Sequence, residues 1–298
     1  MDKVTLAIER LRTASEMSLM HYKKPLLITY SGGKDSAVLL DLAERAGIPF
    51  EVVHSHTTVD APETVYHVRK EFRRLEDKEI KCCIDYPIYK GQRISMWSLI
   101  PQKGMPPTRI ARYCCAILKE TSGKNRFIAT GARWAESTRR KNSIGIYGTM
   151  PSDPLKRINL NNDNDDTRRL FETCTLKAKR VCNPIVDWSD EDIWNYAHDR
   201  RLILNPVYQM GFNRVGCIGC PMAGCKMRQI EFAIWPKYKQ NYLSAFDRML
   251  RLMEEKERKE KKFKTDWTDA KEVYHWWMED GVLPGQMDMF DIFEEVSE

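Results

Sequence analysis

The chain has 298 residues, 42% of them apolar and 30% charged, which is enough for one large domain or for a large domain with a smaller one attached. This composition excludes a disordered polypeptide, and since no apolar run approaches eighteen residues it also excludes a membrane span and a membrane partner. The first seventeen residues carry charge in every turn and do not form a secretion signal. The nine cysteines are therefore expected in the reducing cytoplasm, where clustered thiols bind metals or react more often than they form disulfides.

The N-terminal third of the chain alternates between helix and strand patterns. Apolar residues recur at helical spacing over residues 1–20 and predict a first helix. The apolar run 26–30 predicts a buried strand, which a glycine turn joins to a helix from about Ser36 to Ala46. A second strand is predicted over 50–54.

Capping signals and apolar runs extend this alternation. Asp60 and Glu63 form a capping-box pattern that opens a helix reaching to about Leu75, and residues 189–192 form another. The runs 80–84 and 127–131 predict further strands. Strands alternating with helices imply right-handed crossovers, so the fold class is α/β with a parallel sheet.

A change in charge composition near residue 225 predicts a domain boundary. Residues 225–264 contain twelve Lys and Arg against six acidic residues, in a helical pattern. Residues 265–298 contain ten acidic residues and one lysine. We therefore predict a nucleotide-binding domain over 1–224 and a mainly helical extension over 225–298.

The segment Ser31–Ser36, with the sequence SGGKDS, lies between the first predicted strand and its helix. Its two glycines let the backbone approach a ligand closely, and the helix that follows offers unpaired N–H groups and a partial positive charge. Lys34 adds a mobile cation. The spacing differs from the Walker pattern. The segment predicts a polyphosphate site, the alternative being an ordinary turn at the edge of the sheet.

Residues 108–141 form a basic patch with nine Lys and Arg against two acidic residues. A patch this concentrated is typical of phosphate or sulfate recognition, since arginine matches such oxyanions with paired N–H donors, although a solvated face is the alternative. The cations predicted to contact an anionic substrate are Arg109, Arg112, Lys119, Arg139 and Arg140.

Seven segments, in order along the chain, together resemble the PP-loop ATP-pyrophosphatase superfamily and, within it, the phosphoadenylylsulfate (PAPS) reductase family. They are the loop 31–36, 56–64, 112–115 with Lys119, 130–137 with Arg139, 183–188, 205–208 and 216–220. The resemblance implies an adenine-nucleotide alpha-hydrolase-like, Rossmann-like fold. It also implies a nucleotide, ATP with Mg²⁺ or an adenylylsulfate, as ligand.

The resemblance also assigns roles to single residues. The implied nucleotide-binding residues are Ser31, Gly32, Gly33, Lys34, Asp35, Ser36, Thr57, Asp60, Gly131 and Arg133. Lys34, Arg133 and Arg139 are the implied catalytic residues, since they would stabilise the charge that develops on phosphate oxygens. For Asp60 and Glu63, helix capping alone is the alternative.

The cysteines form a second constellation. Cys217 and Cys220 have the C-x2-C spacing that lets two sulfurs reach one metal centre, and Cys114 and Cys115 are adjacent. The set is similar to the pattern that holds a [4Fe–4S] cluster in adenylylsulfate-type reductases. Four thiolates suit zinc equally well, so zinc, or no metal, remains an alternative. Cys225 is a possible further ligand.

A second cysteine pair, Cys82 and Cys83, falls in a predicted strand and is expected in the buried core.

Two departures separate the chain from the assimilatory reductases of the family. Those enzymes use a cysteine nucleophile near the C-terminus, whereas this sequence has none after Cys225. Their loop is often degenerate, whereas here the residues that would bind the β- and γ-phosphates are retained. The chain therefore resembles the ATP-cleaving, DndC-like members more closely.

Three hypotheses follow from the sequence. The first is an ATP-cleaving enzyme that adenylates a substrate for iron–sulfur-assisted sulfur transfer to a nucleic acid or a small molecule, with a sulfur donor as partner. The second is reduction of an adenylylsulfate with a thioredoxin-like partner. The third is a non-catalytic nucleotide- or nucleic-acid-binding subunit of a mobile-element or defence system. The basic segment 226–264 is either a nucleic-acid contact or a solvated helix.

Overall fold

The computed structural model describes residues 2–150, 159–160, 179–260 and 267–279. The side chains of 139, 149–150, 159–160, 179, 256–257 and 259–260 lie outside this description. The described residues divide into two compact units. Unit 1 comprises those within 1–56, 62–85 and 121–215, and unit 2 those within 57–61, 86–120 and 216–298. The boundary at 224 and 225 stays a prediction.

Within the described residues, unit 1 contains a seven-stranded sheet in the order β3-β2-β1-β6-β9-β7-β8. Its strands are β1 (Leu26–Thr29), β2 (Phe50–Ser55), β3 (Cys82–Asp85), β6 (Phe127–Ala129), β7 (Tyr147–Met150), β8 (Asn159–Leu160) and β9 (Lys179–Cys182). The five strands from β3 to β9 run parallel, whereas β7 is antiparallel to both of its neighbours. The predicted α/β fold with a largely parallel, Rossmann-like sheet is confirmed. A two-stranded hairpin in unit 2 consists of β4 (Ile88–Tyr89) and β5 (Gln92–Arg93).

Helices flank the sheet in unit 1 and make up most of unit 2. Those of unit 1 are α1 (Lys3–Tyr22), α2 (Lys34–Ala46), α3 (Pro62–Glu76), α6 (Thr138–Ser143) and α7 (Asp190–Asp199). Those of unit 2 are α4 (Met96–Lys103), α5 (Tyr113–Leu118), α8 (Cys225–Ile234), α9 (Pro236–Glu260) and α10 (Ala270–Met278). The described part of the C-terminal region is thus helical. None of the described helices combines the length and the apolar character needed to cross a bilayer.

The helix ends follow from local sequence. The capping box predicted before α7 is present, because the Ser189 side chain accepts from the amide of Asp192 and the Asp192 side chain accepts from the amide of Ser189. Helix α2 ends at Ala46, where Gly47 takes the left-handed conformation at φ 65°. These caps place the first residues of α2 and α7 at fixed positions in unit 1.

The interior of unit 1 forms where α1 and α2 pack on the sheet. Leu11 of α1, Leu39 of α2 and Phe127 of β6 are completely buried in one apolar cluster. The expectation that Cys82 and Cys83 belong to this core is wrong, because Cys82 is half-buried and Cys83 is exposed. The physical reason is that β3 lies at the edge of the sheet, so it has no neighbour on one side among the strands that the structure describes.

Unit 2 has an aromatic core. Tyr242 and Phe246 of α9 pack against Trp277 of α10, with ring centroids 4.7 and 5.5 Å from the indole. Phe232 of α8 joins them, with its ring centroid 5.8 Å from that of Tyr242. Helices α8, α9 and α10 are thereby held in one cluster.

Candidate functional site

The loop 31–36 lies directly between β1 and α2. Gly32 is in the left-handed region at φ 79°, a conformation that favours glycine. Gly33 is the N-cap residue of α2, and no side chain caps the helix there. Because the first amides of a helix have no partner within the helix, this end of α2 offers N–H donors and a partial positive charge. The local backbone therefore fits an anion.

Two residues from the segment after α7 hold this loop in place. The side-chain amide of Asn205, a residue that is 1% exposed, donates to the carbonyl of Gly32 at 3.1 Å and to the Thr64 hydroxyl at 3.0 Å. The Tyr208 hydroxyl accepts from the backbone N–H of Lys34 at 2.8 Å. Within the loop, the Ser36 hydroxyl donates to the carbonyl of Gly33 at 2.8 Å. The turn is thus fixed by hydrogen bonds before any ligand arrives.

An ionic network lies at the start of α2. The Arg133 guanidinium, buried to 1% exposure, donates to Asp35 at 2.6 Å, to Asp190 at 2.7 Å and to the carbonyl of Trp188 at 3.2 Å. The Lys34 ammonium is 3.3 Å from a carboxylate oxygen of Asp35 and 3.3 Å from one of Asp190. The hydrogen bond from Arg133 lowers the pKa of Asp190, although burial opposes it. The carboxylates of Asp35 and Asp190 therefore hold Arg133 in place and also contact the Lys34 ammonium.

Gly131, which follows β6, touches the same turn of α2. A Cβ atom built on Gly131 would lie 3.0 Å from the carbonyl carbon and oxygen of Asp35 and 3.2 Å from the nitrogen of Ser36. Contacts this close to backbone atoms cannot be relieved by a side-chain rotation. The close approach of β6 to α2 therefore favours glycine here.

The cysteines predicted to bind a metal all lie in unit 2. Cys114 and Cys115 are in the first turn of α5, Cys217 and Cys220 flank a turn, and Cys225 opens α8. A hydrogen bond from the thiol of Cys114 to Cys115 raises the pKa of the first and lowers that of the second. The charges of Cys217 and Cys220 also act on Cys114. The pair at 114–115 and the pair at 217 and 220 are thus near enough to influence each other.

The turn between Cys217 and Cys220 is anchored on both sides. The amide of Ile218 donates to the carbonyl of Val59 at 2.8 Å, and its carbonyl accepts from the Tyr242 hydroxyl at 3.0 Å. The amide of Gly219 donates to the buried carboxylate of Glu231 at 2.7 Å. Gly219 has φ 73°, and a Cβ there would lie 2.8 Å from both Phe232 and Tyr242 and 3.1 Å from Trp277. The turn is therefore set by the aromatic core of unit 2.

Cations accompany the thiols. Arg112 donates to the sulfur of Cys115 at 3.4 Å. The negative charge of Cys217 raises the pKa of the Lys119 ammonium, while burial raises the pKa of the Cys217 thiol. Cationic neighbours favour the thiolate form that binds metals. Arg112 and Lys119 therefore favour thiolates here, although no three cysteine sulfurs of the described residues lie within 4.8 Å of one another.

The family model described as the phosphoadenosine phosphosulfate reductase domain matches residues 25–223, more than half of the chain. The chain belongs to this family. The match covers the loop 31–36, Gly131 and Arg133, and it ends just after Cys220. The recognition of the PAPS reductase family is confirmed.

Relatives in this family include both named reductases and uncharacterized proteins. An uncharacterized protein of Methanocaldococcus jannaschii is 27% identical over 221 residues, which cover 72% of this chain and 41% of that protein. An adenosine 5'-phosphosulfate reductase of Anoxybacillus flavithermus is 24% identical over 223 residues, 72% of this chain and 80% of that enzyme. An uncharacterized 37.8 kDa protein of Escherichia phage 186 is 26% identical over 247 residues, 71% of each chain. The chain spans about two fifths of the length of the two Methanocaldococcus relatives.

Two solved structures are similar to this family member. A PAPS reductase of Candida auris in complex with phosphate has a TM-score of 0.46 at 16% identity, covering 71% of this chain and 87% of that one. The U34-tRNA thiolase NcsA of Methanococcus maripaludis, with its [4Fe-4S] cluster, has a TM-score of 0.41 at 13% identity, covering 86% of this chain and 82% of that one.

The structure divides the predicted site residues between the two units. Those in unit 1 are Ser31, Gly32, Gly33, Lys34, Asp35, Ser36, Gly131, Arg133, Arg139 and Arg140. Those in unit 2 are Thr57, Asp60, Arg109, Arg112, Lys119, Cys114, Cys115, Cys217, Cys220 and Cys225.

Several of these side chains form hydrogen bonds or ion pairs with other groups of the protein. In unit 2, Thr57 accepts from the sulfur of Cys217 at 3.5 Å, and Asp60 accepts from the amide of Thr57 at 2.8 Å. Arg109 donates to the carbonyl of Pro221 at 3.2 Å. In unit 1, Arg140 is exposed and pairs with Glu136, and the side chain of Arg139 lies outside the described residues.

Three residues beside the loop were not assigned a role from sequence. Asn205 and Tyr208 lie in a segment that carries the family resemblance, and this was the available signal for them. Asp190 was identified only as part of a helix cap, yet its carboxylate also binds Arg133. No local pattern indicates that second contact, because Arg133 is 57 residues away in the chain.

Proposed function

We propose that this protein binds ATP with Mg²⁺ on residues 31–36 and cleaves it to AMP and pyrophosphate, adenylating a substrate. The observation that carries this proposal is the start of α2, where the N-cap residue Gly33 has no side chain to cap the helix, Tyr208 takes up the amide of Lys34, and the Lys34 ammonium belongs to the same first turn. The amides of a helix start next to a cation are a site for phosphate oxygens. Asn205 and Tyr208 preorganise this turn, which reduces the ordering that binding requires.

The proposed chemistry is a displacement at the α-phosphorus of ATP. A substrate oxygen forms a bond to this phosphorus, the bond to the bridging oxygen breaks, and pyrophosphate leaves with the electron pair. Lys34 and the amides at the start of α2 stabilise the charge on the departing oxygens. Arg133 holds the carboxylates of Asp35 and Asp190, so that the Lys34 ammonium can exchange its 3.3 Å contacts with them for a phosphate oxygen.

We further propose a [4Fe-4S] cluster on Cys114, Cys115, Cys217 and Cys220, with Cys225 as a possible substitute ligand. Bound there, a cluster would supply the thiophilic and redox chemistry of sulfur transfer to the adenylated substrate. Arg112 and Lys119 support this set, since they offset the negative charge of thiolates. Zinc is the alternative metal for four thiolates.

The test of ATP cleavage is the product formed from ATP labelled at the α-phosphate, under anaerobic conditions and with candidate acceptors. We expect AMP and pyrophosphate, and a loss of about 10²-fold or more in Lys34→Met, the range for removal of one charge-stabilising donor. Lys78→Gln is the matched control, since this exposed lysine of the same unit pairs with Glu44. Formation of ADP, or equal turnover by Lys34→Met, would contradict the proposal.

The metal is tested on anaerobically purified protein by its iron and zinc content and its absorbance near 400 nm, where iron–sulfur clusters absorb. Cys217→Ser and Cys220→Ser are expected to lose the metal, whereas Cys83→Ser, an exposed thiol of β3, is expected to retain it. Zinc without iron would support the alternative metal. Metal content that is unchanged in both ligand variants would refute the ligand assignment.

A second candidate function is the reduction of an adenylylsulfate to sulfite with a thioredoxin-like partner. It is favoured by the similarity to the Anoxybacillus flavithermus enzyme, 80% of which is matched. Sulfite release from adenylylsulfate with thioredoxin as reductant, and no AMP from ATP, would establish it in place of the first. If neither reaction occurs while ATP still binds, the remaining candidate is a non-catalytic nucleotide-binding subunit.

A further inference from the structure

The segment between Asp85 and Glu120 contains six cations and no acidic residue. The segment lies in unit 2 and includes the hairpin β4–β5, helix α4 and helix α5. Three of its cations, Lys90, Arg93 and Lys103, precede the pair Cys114 and Cys115 by at least eleven residues. We call these three, with Tyr86 and Tyr89, the hairpin surface.

The hairpin places Lys90 at its tip. Strands β4 and β5 are joined by the two residues Lys90 and Gly91, whose φ angles are 51° and 79°. Positive φ at both positions is the signature of a type I′ turn, in which asparagine is favoured at the first position. A lysine in this left-handed position is conformationally unfavourable, and its side chain is exposed. Turn geometry therefore does not explain why lysine occupies this position.

The cations of the hairpin surface lie over aromatic rings. Arg93 is 3.6 Å from the ring centroid of Tyr86. Lys90 and Lys103 approach the ring of Tyr89 at 5.6 and 4.9 Å, and Lys103 also donates to its hydroxyl at 3.2 Å. Within the described parts of the chain, none of these three cations has an acidic partner within 4 Å. Like charges are thus gathered around rings with no compensating carboxylate.

We propose that the hairpin surface binds single-stranded nucleic acid. Lys90 and Lys103 would contact successive phosphates, and the stacked pair of Arg93 and Tyr86 offers a plane for an unstacked base. The interleaving of cations with rings favours this ligand over an acidic peptide, because a peptide would use the charges and leave the planar faces unused. The proposal names the acceptor class for the proposed function, and it concerns binding, which requires no ATP.

The test is the binding of fluorescein-labelled single-stranded 20-mers, RNA and DNA in separate arms, to the full chain without ATP at 50–200 mM salt. For single strands, log K falls with log salt by about 0.7 per phosphate contact, so the two phosphate-contacting lysines contribute about 1.4 to the slope. The triple variant Lys90→Asn, Arg93→Gln, Lys103→Gln is expected to lower the slope by about 1.4 and, because it also loses the stacking plane, to weaken binding at 50 mM salt at least tenfold.

The controls separate loss of charge from loss of fold. Lys90→Asn alone places the residue that the turn prefers, so it retains the hairpin and removes one cation. It is expected to raise or keep the melting temperature and to reduce the slope by about 0.7. Lys271→Gln removes an exposed lysine of α10 in the same unit and is expected to leave binding unchanged.

Four results would overturn the proposal. They are the absence of oligonucleotide binding, equal binding by the triple variant, tighter binding of a duplex, and equal competition by polyglutamate, which would identify an acidic protein as the ligand. The outcome is independent of catalysis. Oligonucleotide binding without AMP formation refutes only the proposed function, and AMP formation without oligonucleotide binding refutes only this inference.

Discussion

The replacement of Arg133 by methionine removes a buried cation that three groups share. Its guanidinium bonds to Asp35 at 2.6 Å, to Asp190 at 2.7 Å and to a backbone carbonyl at 3.2 Å. Breaking a buried ion pair by removing one partner costs about 3–5 kcal/mol. The Asp190 side chain is 66% exposed and can be rehydrated, so we expect the lower end, about 3 kcal/mol. In a domain of this size about 3 kcal/mol lowers the melting temperature by about 6–12 °C.

Calorimetry and urea titration measure this loss. Arg133→Lys keeps the charge and loses the planar fork that serves several acceptors at once, so it is expected to fall between the wild type and Arg133→Met. The reasoning would be refuted if Arg133→Met lowered the melting temperature by less than about 2 °C, or if Arg133→Lys were as stable as the wild type.

The loss of stability in Arg133→Met should depend on pH. Arg133 lowers the pKa of Asp190 in the folded protein, so the carboxylate stabilises the fold above its unfolded pKa of about 3.9. This stabilisation is lost as the pH falls through the lowered, folded-state value. The difference in free energy of unfolding between wild type and Arg133→Met should therefore be constant above about pH 5 and shrink below about pH 4. A difference that grows in acid would contradict this assignment.

Two further substitutions test the loop and the cysteine turn. Gly131→Ala places a methyl group against the backbone of Asp35, so it should lower the free energy of unfolding by about 1–3 kcal/mol and weaken ATP binding. Gly33→Ala is the control, because its Cβ would meet its nearest atoms at 3.5 Å. It should change the free energy of unfolding by less than about 1 kcal/mol. Equal stability of the two variants would refute the close-approach argument. Glu231→Ala removes the acceptor of the buried Gly219 amide, so it should lower the free energy of unfolding by about 1–3 kcal/mol and reduce the amount of bound metal. Glu231→Gln keeps an acceptor oxygen and should restore both. Thermal melts and metal analysis measure the two effects.

Sequence reasoning predicted the parts of the fold that local patterns encode. The strand, glycine turn and helix around 31–36 follow from apolar runs and glycine placement, and α7 begins where its capping box predicts. Cys83 was assigned to the core because a strand pattern does not reveal whether the strand lies at an edge of the sheet. The position of a strand in a sheet depends on pairing with distant segments.

The candidate site shows the same division. The loop residues could be identified from spacing because one turn contains all of them. The carboxylates that bind Arg133 belong to α2 and α7, and the side chains that hold the loop 31–36 belong to residues 205–208. Because these segments are far apart in the chain, their contacts could not be predicted from local sequence. For the cysteines, the spacing identified both pairs, whereas the dependence of their turn on Glu231 and on the aromatic core could not be read from it.

The face of Gly219 where a Cβ would stand is closed off by Trp277, 3.1 Å from that position, and Trp277 belongs to the last helix that the structure describes. A truncation that removes α10 would leave an opening behind the turn between Cys217 and Cys220 and expose the indole's former neighbours to water. A shortened protein limited to the region matched by the family would lose this support, so poor metal retention by such a protein would report on the missing indole and not on the thiols themselves.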